Sequence, residues 1–163
     1  MPSHVTPMSL TDLLWLCTAA YAIHAFEEFM LDWRDWAQAV IKLPVTWPIF
    51  YVVNFLVVVL GICAAQLAAT QPVFALAFPA LMLINATFFH VLPMIVTRGR
   101  YSPGVFTAVI FFYPLGWLAF DRAISTGAVT TRGVILSFVI GALLMASPIV
   151  LLHIKDKPYF RQS

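Results

Sequence analysis

Charge is scarce in this chain. Of its 163 residues 10% are Asp, Glu, Lys or Arg, glutamate occurs twice, histidine four times, and the formal net charge is +2. That thin, mixed charge gives no basic patch with which to hold nucleic acid. The two cysteines, Cys17 and Cys63, lie in apolar stretches and form no CxxC or CxxCH pattern, which excludes a redox pair and covalent haem attachment. There is no HExxH, nucleotide-binding loop, serine-nucleophile motif or cofactor fingerprint, and four histidines are too few for a His-rich di-iron centre. Internal repeats and low-complexity tracts are missing as well.

What the chain has is hydrocarbon. It is 62% hydrophobic with a mean hydropathy of +0.93, values that belong in a bilayer. A membrane span needs about 20 mostly apolar residues, and five stretches qualify: 10–30, 48–67, 74–96, 104–120 and 133–153. The expected fold is all-α, a polytopic bundle of five transmembrane helices making one membrane-embedded domain over residues 1–163. The first stretch lacks a basic leading region and a cleavage site, so it is read as a span and not as a cleaved signal. Ser9 and Asp12 have the spacing of a capping box that opens it, and hydroxyl residues beside proline at Thr46-Trp47-Pro48 and Ser102-Pro103-Gly104 mark later helix starts. Between the first two spans, Trp33, Trp36, Val40 and Ile41 fall on one helical face, opposite Arg34, Asp35, Gln38 and Lys42. This predicts a short amphipathic helix on the membrane surface.

Basic residues give the orientation. Arg34, Lys42, Arg98, Arg100, Lys155, Lys157 and Arg161 share one side of a five-span chain, while Arg122 and Arg132 lie on the other. The excess predicts an outside amino terminus and a cytoplasmic carboxyl terminus.

Ionisable groups inside hydrocarbon cost roughly 2.5–3.5 kcal/mol each on insertion scales, so their presence there points to function. Both glutamates, Glu27 and Glu28, follow His24 by three and four residues on the first span and share its face. Cys17, Ala20, Tyr21 and Leu31 extend that stripe, which predicts a face turned into the bundle. With this topology His90, His153 and Asn54 fall in the same cytoplasmic half, and Asn85 lies deeper. Pro93 leaves the carbonyl of Phe89 without its helical donor, which predicts an opening or kink beside His90. His4 and His153 are expected to be interfacial.

These residues resemble a family of small bacterial membrane proteins of uncharacterised function named for an HXXEE motif. His24-Ala25-Phe26-Glu27-Glu28 matches that motif residue for residue. Asn85-Ala86-Thr87-Phe88-Phe89-His90 is similar to the family's Asn-Ala-x-x-His element with one extra residue, and Arg98-Gly99-Arg100-Tyr101-Ser102-Pro103-Gly104 contains its Tyr-x-Pro-Gly. The resemblance covers about residues 15–120 and implies a bacterial inner-membrane protein. The extra residue sets Asn85 and His90 about 140° apart on an ideal helix. Either a kink brings them together or one of them faces the site, and His90 is then the expected one.

Three kinds of chemistry suit these residues. The first is a metal-dependent enzyme acting on a lipid or other hydrophobic molecule by hydrolysis or oxidation: His24, His90 and Glu27 or Glu28 would hold zinc or iron, and the other glutamate would be the general base. The second is a metal-free isomerase or cyclase in which one glutamate, held protonated by apolar surroundings, donates a proton. The third is a binding or transport protein for a small molecule, haem or protons. A purely structural hydrogen-bonded cluster is the bland counterpart of all three. Asn85 and Asn54 are candidate substrate contacts, Asn54 being better suited to a helix-to-helix hydrogen bond. Arg98, Arg100 and Tyr101 stand where they could clamp a phosphate or carboxylate headgroup or simply anchor the membrane face. The oligomeric state has no signal in the sequence.

Overall fold

The computed structural model describes residues 7–155, 157 and 159; His4 and Arg161 lie outside them. Among the described residues the chain is helical and has no strand. Helix α1 spans Leu10–Met30. Helix α2, Trp33–Trp36, runs on as a π-helical turn, Ala37–Ile41. Four longer helices follow: α3 (Trp47–Leu67), α4 (Pro72–Val96), α5 (Val105–Ser125) and α6 (Thr131–Ile154), each long and apolar enough to cross a membrane. Helix α1 is as long as α3 and α5, but Asp12, His24, Glu27 and Glu28 make it more polar than these four.

Local chemistry explains most of the boundaries. Ser9 and Asp12 form the reciprocal capping box at the start of α1. Thr130 caps α6 through the N–H of Gly133, starting that helix two residues before the predicted stretch. Thr46 occupies the N-cap of α3, but its side chain makes no capping bond; Pro48 in the first turn presets the backbone instead. Ser102 is not the cap of α5. Gly104 is, with φ of +94°, a left-handed conformation that suits glycine.

Helix α1 packs against α3 and α5, and α4 packs against α6. Leu14, Cys17, Tyr21, Phe78, Met82 and Phe112 make the central core. Small residues let the backbones approach: a Cβ on Gly141 of α6 would lie 2.8 Å from the carbonyl oxygen of Ala77 in α4. At the end where α1 stops, Trp33 and Trp36 of α2 pack with Leu43, Phe50 and Leu152, while Asp35, Gln38 and Lys42 face outward. Along α3 and α6 the outer surface is largely apolar. Only 22% of the most apolar stretch of α3, and 11% of that of α6, is buried, so both present to their surroundings a face that water would not solvate well.

Candidate metal centre

Burial selects one of the two glutamates. The last two turns of α1 direct His24 and Glu28 inward, at 0% and 4% exposure, and α4 brings in His90 at 0%. Glu28 Oε1 lies 3.5 Å from His24 Nε2 and 3.4 Å from His90 Nε2, and the imidazole rings meet edge to face with centroids 4.8 Å apart. Among the described residues, His24, Glu28 and His90 form a group that could hold a metal ion, with donor atoms all within 4.8 Å of one another. Tetrahedral ligands about 2.0–2.1 Å from zinc stand about 3.3–3.4 Å apart, close to both histidine–carboxylate separations.

The hydrogen bonds around each ring assign its tautomer. His24 Nδ1 lies 2.9 Å from Thr107 Oγ1, and that hydroxyl donates to Glu27 Oε2 at 2.6 Å. The hydroxyl therefore accepts from Nδ1–H, leaving the Nε2 lone pair to face Glu28. His24 Nε2 is buried and has no hydrogen-bond partner. His90 differs: the Asn85 amide oxygen 3.1 Å from its Nε2 can only accept, so that nitrogen carries the proton, and on the far side Nδ1 lies 3.2 Å from Ser102 Oγ, which is also 3.3 Å from the Phe89 carbonyl. The His24 Nε2 lone pair and the His90 Nε2–H thus meet at one carboxylate oxygen, and a cation held there would take the place of that proton. Outer partners that fix imidazoles this way are the usual support of metal-binding histidines.

Helix α4 reaches this geometry by giving up α-helical regularity. Residues Ala86–Val91 form a π-helical segment, whose i→i+5 bonding absorbs one additional residue per turn. Asn85 and His90, five apart, are therefore brought together, and the Asn85 amide oxygen lies 3.1 Å from His90 Nε2. The expectation that His90 alone would face the site gives way to this pairing. Pro93 supplies the opening that the sequence predicts, and Ser102 satisfies the Phe89 carbonyl that it leaves without a donor.

Glu27 stands outside the metal-type group. Its carboxylate caps α5 from another helix, accepting the N–H groups of Gly104 (3.0 Å), Phe106 (3.4 Å) and Thr107 (2.9 Å), and the hydroxyls of Tyr101 (2.7 Å) and Thr107. An anion at a helix N-terminus is stabilised by the unpaired N–H groups and the helix dipole. With its oxygens taken, Glu27 faces away from the position assigned above to a ligand or general base. Burial first, then the bond to Glu27 and its charge, push the Tyr101 hydroxyl up to about 12, so at neutral pH it is a donor.

Gly104 closes the cluster. A Cβ there would lie 2.6 Å from His90 Cε1 and 2.8 Å from His24 Cε1, so the backbone of α5's first turn lies against both rings. Ser102 and Gly104 belong to the Tyr-x-Pro-Gly element noted in the sequence, although neither was singled out as a site residue. Thr107 carries no sequence signal beyond its place one turn after Gly104.

The other candidate residues divide. Asn54 accepts a 2.9 Å bond from the Tyr21 hydroxyl, joining α3 to α1. Asn54, Asn85, Tyr21 and Glu28 all line a small cavity of about 70 Å³, whereas Arg98 and Arg100 are exposed and do not line it. Arg98 borders a separate outer groove with Tyr101 and Phe106. His153 bonds the Ile149 carbonyl of its own helix and is exposed. Leu31 lies beyond the end of α1 and is exposed, unlike Cys17, Ala20 and Tyr21 on the same stripe. Cys17 and Cys63 are free thiols.

An all-helical chain with four membrane-length helices and a buried His–Glu–His cluster is the class of protein that this architecture defines. The family model described as a protein of unknown function with HXXEE motif matches residues 15–119, and the chain belongs to that family. The match ends before α6 and takes in all three residues of the cluster, together with Ser102, Gly104 and Thr107. No curated protein and no solved structure matches the chain.

Proposed function

We propose that this protein is a metal-dependent intramembrane enzyme acting on a lipid-like substrate, with His24, Glu28 and His90 as ligands of one divalent cation, zinc before iron. The observation that carries the reading is the partnerless Nε2 of His24, buried beside a carboxylate whose other neighbour is a second imidazole. A carboxylate and the two imidazoles around it are costly to desolvate in a dry interior, and a divalent ion that replaces the His90 Nε2 proton offsets that cost for the carboxylate and both rings. A structural cluster needs no such arrangement, since Ser, Thr or Asn can bridge membrane helices without a charge.

Two histidines and one carboxylate leave a zinc ion an open position for water or a substrate carbonyl. Glu28 borders the small cavity, and in this reading the open position faces it. The chemistry is hydrolytic, with Asn85 and Asn54 contacting the substrate's polar group. Glu27 and Thr107 orient His24, Ser102 orients His90, and Tyr101 completes the Glu27 cap. Arg98 and Arg100 hold the anionic headgroup layer.

The membrane setting is part of the proposal. Helix α1 is a fifth span in a single domain of a bacterial inner membrane, its polar residues tolerated because the bundle buries them. The amino terminus is outside, the carboxyl terminus is cytoplasmic and the cluster lies in the cytoplasmic half; the basic residues of the 31–47 and 97–103 connections and after α6 support this. Helix α2 lies at the cytoplasmic interface, its tryptophans inward and its charges outward. Elemental analysis of detergent-purified protein tests the metal: about one equivalent in the wild type, and none in His24→Ala or Glu28→Gln variants that still insert and fold. Metal-free wild type after metal-supplemented growth would refute it and leave acid–base chemistry at Glu28 as the remaining enzymatic reading.

A further inference from the structure

Helix α3 packs on α1 and α6 packs on α4, and a groove of about 630 Å³ runs between α3 and α6 on the outside of the bundle. Among the described residues its walls are hydrocarbon apart from Cys63, Ser147 and Lys155. Along α3 it extends from Ile49 to Cys63, about 21 Å at 1.5 Å per residue, which exceeds half of a roughly 30 Å hydrocarbon core. Ile49, Val53, Pro148 and Leu152 line this groove and also line the inner cavity on which Glu28, Asn54 and Asn85 open. A single layer of side chains therefore separates the surrounding lipid from the buried carboxylate. Pro148, inside α6, stands in that layer and lacks the N–H that would hold its own turn tightly.

From this continuity we infer that the groove binds an acyl chain of an anionic phospholipid taken laterally from the bilayer, with the phosphate at Lys155 and the ester carbonyl turned inward past Val53 and Pro148. The charge complements the occupant, because among the described residues Lys155 is the one charged residue lining the groove, and it sits at the end where the inner cavity lies. The inference rests on the proposed reading of the Glu28 cavity as a reaction site. It adds the route by which substrate arrives and the class of lipid.

The test uses the full chain in lipid nanodiscs with phosphatidylglycerol carrying a photoreactive diazirine in its acyl chain, and peptide mapping of the adducts. The expected adducts concentrate on 49–63 of α3 and on 144–155, the end of α6 and its C-cap. Leu56→Trp and Leu144→Trp, which fill the groove, and Lys155→Glu should each lower labelling about tenfold, equivalent to 1.4 kcal/mol. Leu136→Trp, on an exposed face of α6 outside the groove, should not. A phosphatidylcholine probe of equal length should label about tenfold less. Labelling spread evenly over every outward-facing helix, or unchanged in the groove variants, would overturn the inference. Metal content measured on the same samples separates the two readings: loss of labelling with metal retained assigns the defect to the groove, and a labelled groove in metal-free wild type overturns the metal alone.

Discussion

Glu27→Gln keeps the shape of the side chain and removes one acceptor and the charge. Its effect can be worked from the five donors that the carboxylate holds, Tyr101, Gly104 and Phe106 on Oε1 and the N–H and hydroxyl of Thr107 on Oε2. The best amide orientation turns its oxygen to Thr107 and its NH₂ to the other side. There the Tyr101 hydroxyl can rotate to accept, and Phe106, an exposed residue, can bond elsewhere. Gly104 N–H is buried and left facing a donor. One unsatisfied buried donor costs about 1–3 kcal/mol, and the lost charge at the α5 N-terminus about 0.3–1 more, so the expected destabilisation is about 1.5–4 kcal/mol. Because Glu27 acts on His24 only through Thr107, metal should be retained with affinity about 10–100-fold weaker, as for other outer partners of metal ligands. Denaturation followed by circular dichroism, paired with elemental analysis, reads both quantities. A Glu27→Gln variant as stable as wild type, or one that loses metal completely while Glu28→Gln keeps it, would refute the division of labour between the two glutamates.

Gly104→Ala places a methyl group against both imidazoles at a positive φ. It should destabilise by about 2–5 kcal/mol from strain and overpacking and displace the rings, read as lost metal and an earlier thermal transition. Ser102→Ala should be costly in the native background and milder beside Pro93→Ala, which restores an N–H donor for the Phe89 carbonyl; a double-mutant cycle measures that coupling. For Tyr101 the folded value of about 12 lies above the ordinary 10, so its stabilising bond to Glu27 is fully present below pH about 10 and lost as pH rises through about 12. The stability difference between wild type and Tyr101→Phe should be flat to pH 10 and shrink above it in alkaline denaturation.

The sequence was most readable where function violates the hydrocarbon pattern. His24 and Glu28 share a helical face because they are four apart, and an apolar chain offers few other reasons for them. The i, i+3 and i+4 spacing does not say which glutamate turns inward, since α5 approaches one flank of that face and takes Glu27 for its own N-terminus. The π-helical turn was hidden for a similar reason. An ideal helix separates Asn85 from His90, and the extra residue is absorbed only because Pro93 has already loosened the turn and Ser102 answers the freed carbonyl. Thr107 could not be found without the fold, because its role depends on two other helices. Five apolar stretches were visible at once, yet the polar residues that make α1 informative also make it the least hydrophobic of the five.

The most direct measurement is X-ray absorption at the zinc edge on the purified protein loaded with zinc. The account predicts one ion with nitrogen and oxygen neighbours only, at about 2.0–2.1 Å, and the multiple-scattering pattern of two imidazoles, reduced to one imidazole in His90→Ala. A sulfur neighbour from Cys17 or Cys63, a spectrum of fully hydrated zinc, or one unchanged in His90→Ala would contradict it.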